Sequence, residues 1–368
     1  MRWLDELFFC SNAAEIGEYG RSVVIKTLIV ERYFLKILII DDGKAGHVQQ
    51  SQVIATIIMQ CMGLLGKKVP TVDFINVKVS KVNRLFLECL LDYLPTLARI
   101  FGHYACREVC AIEKLTPDII ISCGRSASIV GALCGGGDCV KICILYPGQY
   151  AIKKFDLLIT PNHDAGKLTE HPNVIKTNLA LYISHAIEGK LSAGHIGILL
   201  GGNNRSYSYS RDVCQQIAKQ LVQLKIRSGA QLHLTTSRRT SKYLLHAMDR
   251  EFQRAGQEHH KLEGINELLS ICDWIIVSAD SISMISQAVV HGCKVTVFSP
   301  PSRMVSTGKH DRFVEKLAAN GSVATCSFDE IALQKAPRSS EAGLRLHQAD
   351  MELLQSNIED ILRAHAFL

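Results

Sequence analysis

Two adjacent arginines follow a short apolar run and a hydroxyl cluster in LHLTTSRRTSKY, residues 232–243. A guanidinium group binds phosphate oxygens through paired N–H donors, and hydroxyls add further donors. On an ordinary surface turn these side chains are merely solvated. Carried by a buried strand to the mouth of a cleft, Thr235, Thr236, Ser237, Arg238 and Arg239 form an anion site, with Thr240 as cap of the next helix. Two other turns have compatible chemistry. LLGGNNR (199–205) ends an apolar run with Gly201 and Gly202, followed by Asn203. The glycines allow close backbone approach, and the amides of a following helix can cradle an anion. In SADSISMISQA (278–288), Asp280 leaves a strand and Ser281 or Ser283 can cap a helix, with Met284 inside its first turn. Gln287, about one turn further on, could reach a ribose or sugar hydroxyl; the plain alternative is an ordinary capped helix. Together the Gly-Gly and hydroxyl-Arg-Arg turns, on one sheet edge, read as a diphosphate site.

Proton transfer would fall to another set. DDGKAGHVQQ (41–50) holds Asp41, Asp42, Gly43, Lys44, Gly46, His47 and Gln50. It departs from GxGxxG and lacks the acidic residue after a second strand that a ribose would want. A histidine at a helix start can accept a proton from an incoming hydroxyl; its bland role is a structural hydrogen bond. CGRSAS (123–128) and PNHD (161–164) add Arg125, Ser126, His163 and Asp164.

The elements needed to position these turns are visible in the hydrophobic pattern. KILIIDDGKAGHVQQ (from 36) reads as strand, glycine turn, helix, and PDIIISCGRSAS (from 117) repeats it. KICILYPG (141–148), FDLLITPNHD (155–164) and NVIKTN (173–178) supply further strands. The rhythm restarts after LSAG (191–194) with HIGILLGGNNR, LHLTTSRRT, DWIIVSADS and KVTVFSPP. Continuous apolar runs without alternation fit strands buried on both faces of a parallel sheet. Strands alternating with helices predict βαβ units. The expected fold is therefore α/β, with two Rossmann-like doubly wound domains facing a cleft. An N-terminal extension covers 1–35, the first domain 36–190, the second 191–345, and an amphipathic helix 346–368. In such sheets ligands sit beyond the carboxyl ends of the strands, where every turn above lies.

Composition narrows the partners. Forty-one basic against 35 acidic residues give a mild excess of +6, spread along the chain. That suits an acidic small molecule or an anionic membrane face and falls short of a nucleic-acid footprint. The 13 cysteines are odd in number and scattered, many within apolar runs, as expected of buried free thiols in a reducing compartment. CREVC (106–110) and CGGGDC (134–139) lack zinc-site spacing, so no metal or cofactor is expected. No apolar run reaches the roughly 18–20 residues of a membrane span. A cytoplasmic protein is expected. VNRLFLECLLDYLPTLARIFGHYA (82–105), with the basic residues Lys81, Arg84 and Arg99, reads as a core helix pair or as an interfacial segment touching anionic lipid at the inner face of a membrane.

Taken in order, DGKAGHVQQ, SCGRSAS, FDLLITPNHD, LLGGNNRSY, LTTSRRT, ADSISM and GKHDRFVEKLAANG resemble the mitochondrial-fission Elm-type family over about residues 36–325. The resemblance implies a GT-B fold and glycosyl transfer from a nucleotide-diphosphate-sugar; it implies no role in mitochondria. Docking of 82–105 on the inner leaflet would place the acceptor in cell-envelope glycan synthesis. Where such families carry a glutamate after the DS turn, this chain has Gln287; it also has INELL (265–269) for Asn-Pro-Tyr and YPGQY (146–150) for Asp-Pro-Arg. The implied reading is a metal-independent transferase. The second domain would hold the donor, and the first would bind an unidentified acceptor whose proton passes to His47 or Asp42. A nucleotide-sugar 2-epimerase, leaning on His163 and Asp164, is the alternative enzyme. A GT-B-shaped binding or scaffold protein without turnover is the reading that Gln287 motivates.

Overall fold

The computed structural model describes residues 35–64, 66–134, 138–166, 168, 171–183, 194–303 and 308–368. The N-terminal extension lies outside them except for Leu35, as does most of the stretch around residue 190 that divides the two halves.

Six parallel strands form the first sheet: β1 (Lys36–Asp41), β2 (Thr71–Asn76), β3 (Ile119–Cys123), β4 (Val140–Ile144), β5 (Leu157–Pro161) and β6 (Val174–Thr177), in the order β2-β1-β3-β4-β5-β6. Helices α1 (Ala45–Leu64), α2 (Lys81–Tyr93), α3 (Pro95–Ala105), α4 (Arg107–Leu115), α5 (Gly124–Leu133) and α6 (Asn162–Ala165) connect them. The run KILIID explains why β1 lies inside the sheet. Ile37 and Ile39 join one apolar cluster and Leu38 and Ile40 another, so both faces are covered. β2 is different: TVDFIN is largely exposed at the sheet edge, and its mixed polarity hid it from the hydrophobic pattern.

The second sheet repeats the plan with β7 (His195–Leu200), β8 (Gln231–Thr236), β9 (His260–Lys261), β10 (Trp274–Ser278), β11 (Lys294–Ser299) and β12 (Ala324–Ser327), ordered β12-β11-β10-β7-β8-β9. Its helices are α7 (Arg211–Ser228), α8 (Lys242–Arg254), α9 (Ile265–Ile271), α10 (Ile282–Val290) and α11 (Lys309–Ala319). In each sheet the strand order reverses beside the first strand of its half, between β1 and β3 and between β7 and β10. The loops at those reversals splay apart and leave a crevice.

Helix α12 (Glu341–Ala364) bridges the halves. Leu346 packs against the second core, while Leu354, Ile358 and Leu362 are buried in the first, each worth roughly 2 kcal/mol. The Asp350 carboxylate accepts N–H bonds from Asn178 at 2.9 Å and Leu179 at 3.0 Å, and the Ala180 amide donates to Ser286 Oγ at 3.1 Å. The stretch after β6 is thus pinned to both α12 and α10.

The α2–α3 pair has one buried side, as a core helix pair should, and a second apolar side that is exposed. Leu87, Leu91 and Ala98 are buried, while Val82, Leu85, Phe86, Leu97, Ile100 and Phe101 are exposed on the other side. Phe86 and Phe101 meet edge-on with centroids 4.8 Å apart. Pro95 opens α3 at its first position, where its missing N–H costs nothing.

Candidate active site

The carboxyl ends of the two sheets face one another across a cavity of about 670 Å³. On the first side, the turn after β1 places Asp42 against two cations. Its carboxylate, with a side chain only 2% exposed, accepts Lys44 Nζ at 2.6 Å and lies 3.0 Å from His47 Nδ1. Burial pulls the Asp42 carboxyl upward, but the hydrogen bonds and charges of His47 and Lys44 outweigh it and hold it at about 2. A carboxylate only accepts, so Nδ1 of a neutral His47 carries the hydrogen and Nε2 is left as acceptor. His47 itself lines the cavity, together with Gly46 and Gln50. The imidazole also fits against Gly124, where a β-carbon would stand 2.4 Å from His47 Cε1.

The end of β5 contributes His163 and Asp164. Burial pushes the His163 imidazole down to about 4, Asp164 opposing the shift. His163 is therefore neutral near pH 7, and its Nδ1 is buried without a hydrogen-bond partner. Asp164 Oδ1 meets Lys309 Nζ at 3.1 Å from the opposite half.

On the second side, Asp280 organises the turns. Its side chain is fully buried, and Oδ2 accepts the Gly202 amide at 2.9 Å while Oδ1 accepts Tyr209 Oη at 2.7 Å. Arg239 reaches the same carboxylate at 3.2 Å and remains 42% exposed. The glycine is demanded by packing: a β-carbon on Gly202 would lie 1.9 Å from the Arg239 carbonyl oxygen. Thr240 acts as a tie, its hydroxyl lying 2.8 Å from the carbonyls of both Leu200 and Gly201, which share its single hydrogen as acceptors. The cap of α8 is therefore Ser241, which accepts from the Leu244 amide, and not Thr240. Ser281 occupies the N-cap position of α10 but its hydroxyl makes no capping bond, so side chains leave the first amides of that helix open beside the cavity.

Several expected residues stand elsewhere. Arg239 lines the cavity and the exposed Arg238 does not. Thr236, Ser237 and Met284 are also outside the lining, while Ser281 and Ser283 belong to it. Asn203 is occupied in the loop, its Oδ1 accepting from the Tyr209 amide at 2.9 Å and Arg303 at 3.1 Å. Arg125 is engaged by Glu88 through contacts of 3.2 and 2.6 Å, and neither it nor Ser126 lines the cavity. Gly43 and Gly201 shape turns behind the wall; the Gly201 amide donates to Ser278 Oγ at 2.8 Å. Gln287 lines a second cavity, of about 140 Å³, with Gln49, Gln52, Tyr182, Asn266 and His291. Its amide donates to Asn266 Oδ1 at 2.6 Å. The two cavities share walls, because α1 and α10 contribute residues to both.

Sequence reasoning gave no role to Lys309 and His310, or to Asn204 and Arg205, all of which line the cavity. The signal for Lys309 was present: a glycine-lysine pair opens a helix, with Asp311 three residues after Gly308 completing its cap.

A family model described as Mitochondrial fission ELM1 matches residues 46–350. An uncharacterised protein of Rickettsia prowazekii (strain Madrid E) is 24% identical over 253 residues, 56% of this chain and 71% of that protein. Among solved structures, a UDP-N-acetylglucosamine 2-epimerase superposes with a TM-score of 0.53 at 12% identity, covering 91% of this chain and 97% of its own. MurG of Acinetobacter baumannii gives 0.49 at 12% identity, over 89% and 99% of the two chains. CalG4, the calicheamicin glycosyltransferase, gives 0.49 at 10% identity, over 90% and 98%. At these identities the likeness is one of fold, and the fold is GT-B.

Proposed function

The chain belongs to the mitochondrial fission ELM1 family, and on that premise we propose a glycosyltransferase that uses a nucleotide-diphosphate-sugar without a metal ion. One observation carries the reading: an Asp42-bound His47 lines the same cavity as Arg239, Lys309 and the open start of α10. A proton acceptor thus faces a cluster of positive groups, the pairing that glycosyl transfer to a hydroxyl requires.

The donor diphosphate would rest on the α10 amides, Ser281 and Ser283, with Arg239 and Lys309 supplying charge to the leaving group. The smaller cavity, walled by Asn266 and Gln287, is sized for part of the nucleoside and continues along α10. In the transfer, the acceptor oxygen gives its proton to His47 Nε2 as it attacks the anomeric carbon. The bond from that carbon to the diphosphate breaks, and the resulting imidazolium is stabilised by the ionised Asp42.

The acceptor would be presented at a membrane. No helix among the described residues is long and apolar enough to cross one. The exposed apolar side of α2–α3, with exposed Lys78 and Lys81 leading into α2, offers a surface for peripheral contact with anionic lipid. Sedimentation with phosphatidylglycerol vesicles tests this: binding should fall when Phe86 and Phe101 are replaced by serine, and vesicles that leave the wild-type protein in solution would defeat it.

The epimerase reading has one observation in its favour, the neutral His163 beside Asp164 in the cavity. Against it, Lys309 already occupies the Asp164 carboxylate. Incubation of the purified protein with nucleotide-sugars separates the readings. Diphosphate release that depends on added acceptor supports transfer. Isomer interconversion without acceptor supports epimerisation, and binding without turnover leaves a scaffold.

A further inference from the structure

Away from the cleft, the α3–α4 corner assembles a thiol, an imidazole, a carboxylate and a guanidinium in series. Cys110 Sγ on α4 lies 2.9 Å from Nδ1 of His103, in the last turn of α3. The other ring nitrogen, Nε2, lies 3.4 Å from Glu113 Oε2, and Glu113 Oε1 accepts Arg99 Nη2 at 2.8 Å. A carboxylate beside Nε2 favours the tautomer with hydrogen there, which leaves Nδ1 as acceptor toward the sulfur. The group is open to solvent: the His103 and Glu113 side chains are 31% and 26% exposed, and Cys110 is only partly buried.

Most other thiols among the described residues are buried. Burial pushes Cys61 and Cys139 up to about 11, and Cys106 and Cys143 up to about 12. Such thiols are slow nucleophiles because the thiolate is the reacting form. Cys89, exposed on α2, is the natural internal control for accessibility.

We propose that Cys110 is a base-assisted nucleophile and a site of reversible S-thiolation by low-molecular-weight disulfides. The atoms balance as follows. His103 Nδ1 takes the thiol proton as Cys110 Sγ attacks one sulfur of the small disulfide. A new S–S bond forms, the old one breaks, and the departing thiolate collects the proton from the imidazolium. One protein thiol is oxidised to a mixed disulfide, and the small disulfide yields one thiol and the adduct. Glu113 acts through His103 and is a positioning residue.

Glutathione disulfide is the probe, applied to the full-length protein and read by intact mass and tryptic mapping. Cleavage after Arg107 and Lys114 puts Cys110 in EVCAIEK and leaves Cys106 in the preceding peptide, so the two are resolved. The expected result is one glutathionyl group on EVCAIEK, removable by dithiothreitol and formed about tenfold faster than on Cys89. His103→Ala should slow the Cys110 reaction about tenfold, and added imidazole should restore it. Glu113→Gln should slow it by a smaller factor, with Glu113→Asp recovering part of the rate. Circular dichroism confirms that each variant is folded. Equal labelling of Cys89 and Cys110, or a His103→Ala rate that is unchanged or does not respond to imidazole, would overturn the proposal.

Discussion

His47 occupies the space that a side chain on Gly124 would need. A β-carbon built there lies 2.4 Å from Cε1 and 2.8 Å from Nδ1 of the imidazole, and Gly124 itself holds a φ of +76°. The two residues come from neighbouring strand ends, β1 and β3, so the histidine's position depends on a backbone choice made some 80 residues away along the chain (124 against 47). Gly124→Ala should therefore displace the ring from Asp42. On the proposed mechanism turnover should fall by about 100-fold or more, with a stability loss on the order of 1 kcal/mol from the strained φ. Turnover assays beside urea denaturation check both numbers; a full-activity alanine variant would contradict the assigned base.

Asp42→Asn keeps the shape of the side chain and removes its charge. Its amide can donate to Nδ1, which drives the hydrogen to Nε2 and blocks the acceptor that the mechanism uses. Turnover should drop by about 100- to 10,000-fold while nucleotide affinity stays within about twofold, as measured by steady-state kinetics and calorimetric titration.

The paired arginines should behave unequally. Arg239→Ala removes a group that lines the cavity and braces Asp280, and should weaken nucleoside-diphosphate binding by about 1–3 kcal/mol. Arg238→Ala, at an exposed position outside the lining, should leave binding within about 0.5 kcal/mol. Calorimetry with uridine, guanosine, adenosine and thymidine diphosphates decides the matter. Equal losses at both positions would mean that the turn rearranges around the ligand.

Asp280 is a structural hub, and its loss should be felt before any chemistry. Asp280→Ala strips partners from Gly202, Tyr209 and Arg239 at once. The expected cost is about 3 kcal/mol of stability, read as a lowered denaturation midpoint. Nucleotide binding should be lost along with the Gly202 turn.

Acid should destabilise the protein through its buried histidines. Burial lowers His163 to about 4 and also lowers His233, His259 and His310. An unfolded histidine takes a proton near pH 6.5, so the unfolded chain binds more protons than the folded one between that value and the depressed one. Their contribution to stability is complete above about pH 6.5 and is lost as pH falls, His163 being the last to titrate. Melting temperature should drop steadily from about pH 7 to about pH 4, and His163→Gln should flatten the lower part of that curve. A melting temperature independent of pH over this range would contradict the burial of these rings.

Much of the architecture was legible because strands such as IIISC and WIIVS are buried along their whole length. β2, β9 and β12 were not, since an exposed edge or a four-residue strand carries too few apolar residues to make a pattern. In the site, the turns were readable and their inner geometry was not. Arg238 and Arg239 are chemically identical neighbours, and only the turn conformation sends one into the cavity. Gln287 sits a helical turn beyond Ser283, enough to move it to the second cavity. Lys309 follows a strand by about ten residues (309 against 299), so nothing local tied it to Asp164.

The passage of α12 back onto the first core gives the molecule two covalent crossings between its halves, one after β6 and one through this helix. Asp350 fastens the first crossing to the second at Asn178 and Leu179. A body joined at a single strap could twist freely, whereas two straps clamped to one another resist that twist. Any relative movement of the two halves would have to bend both ties together, which limits how far His47 could drift from Arg239 and Lys309 across the cavity.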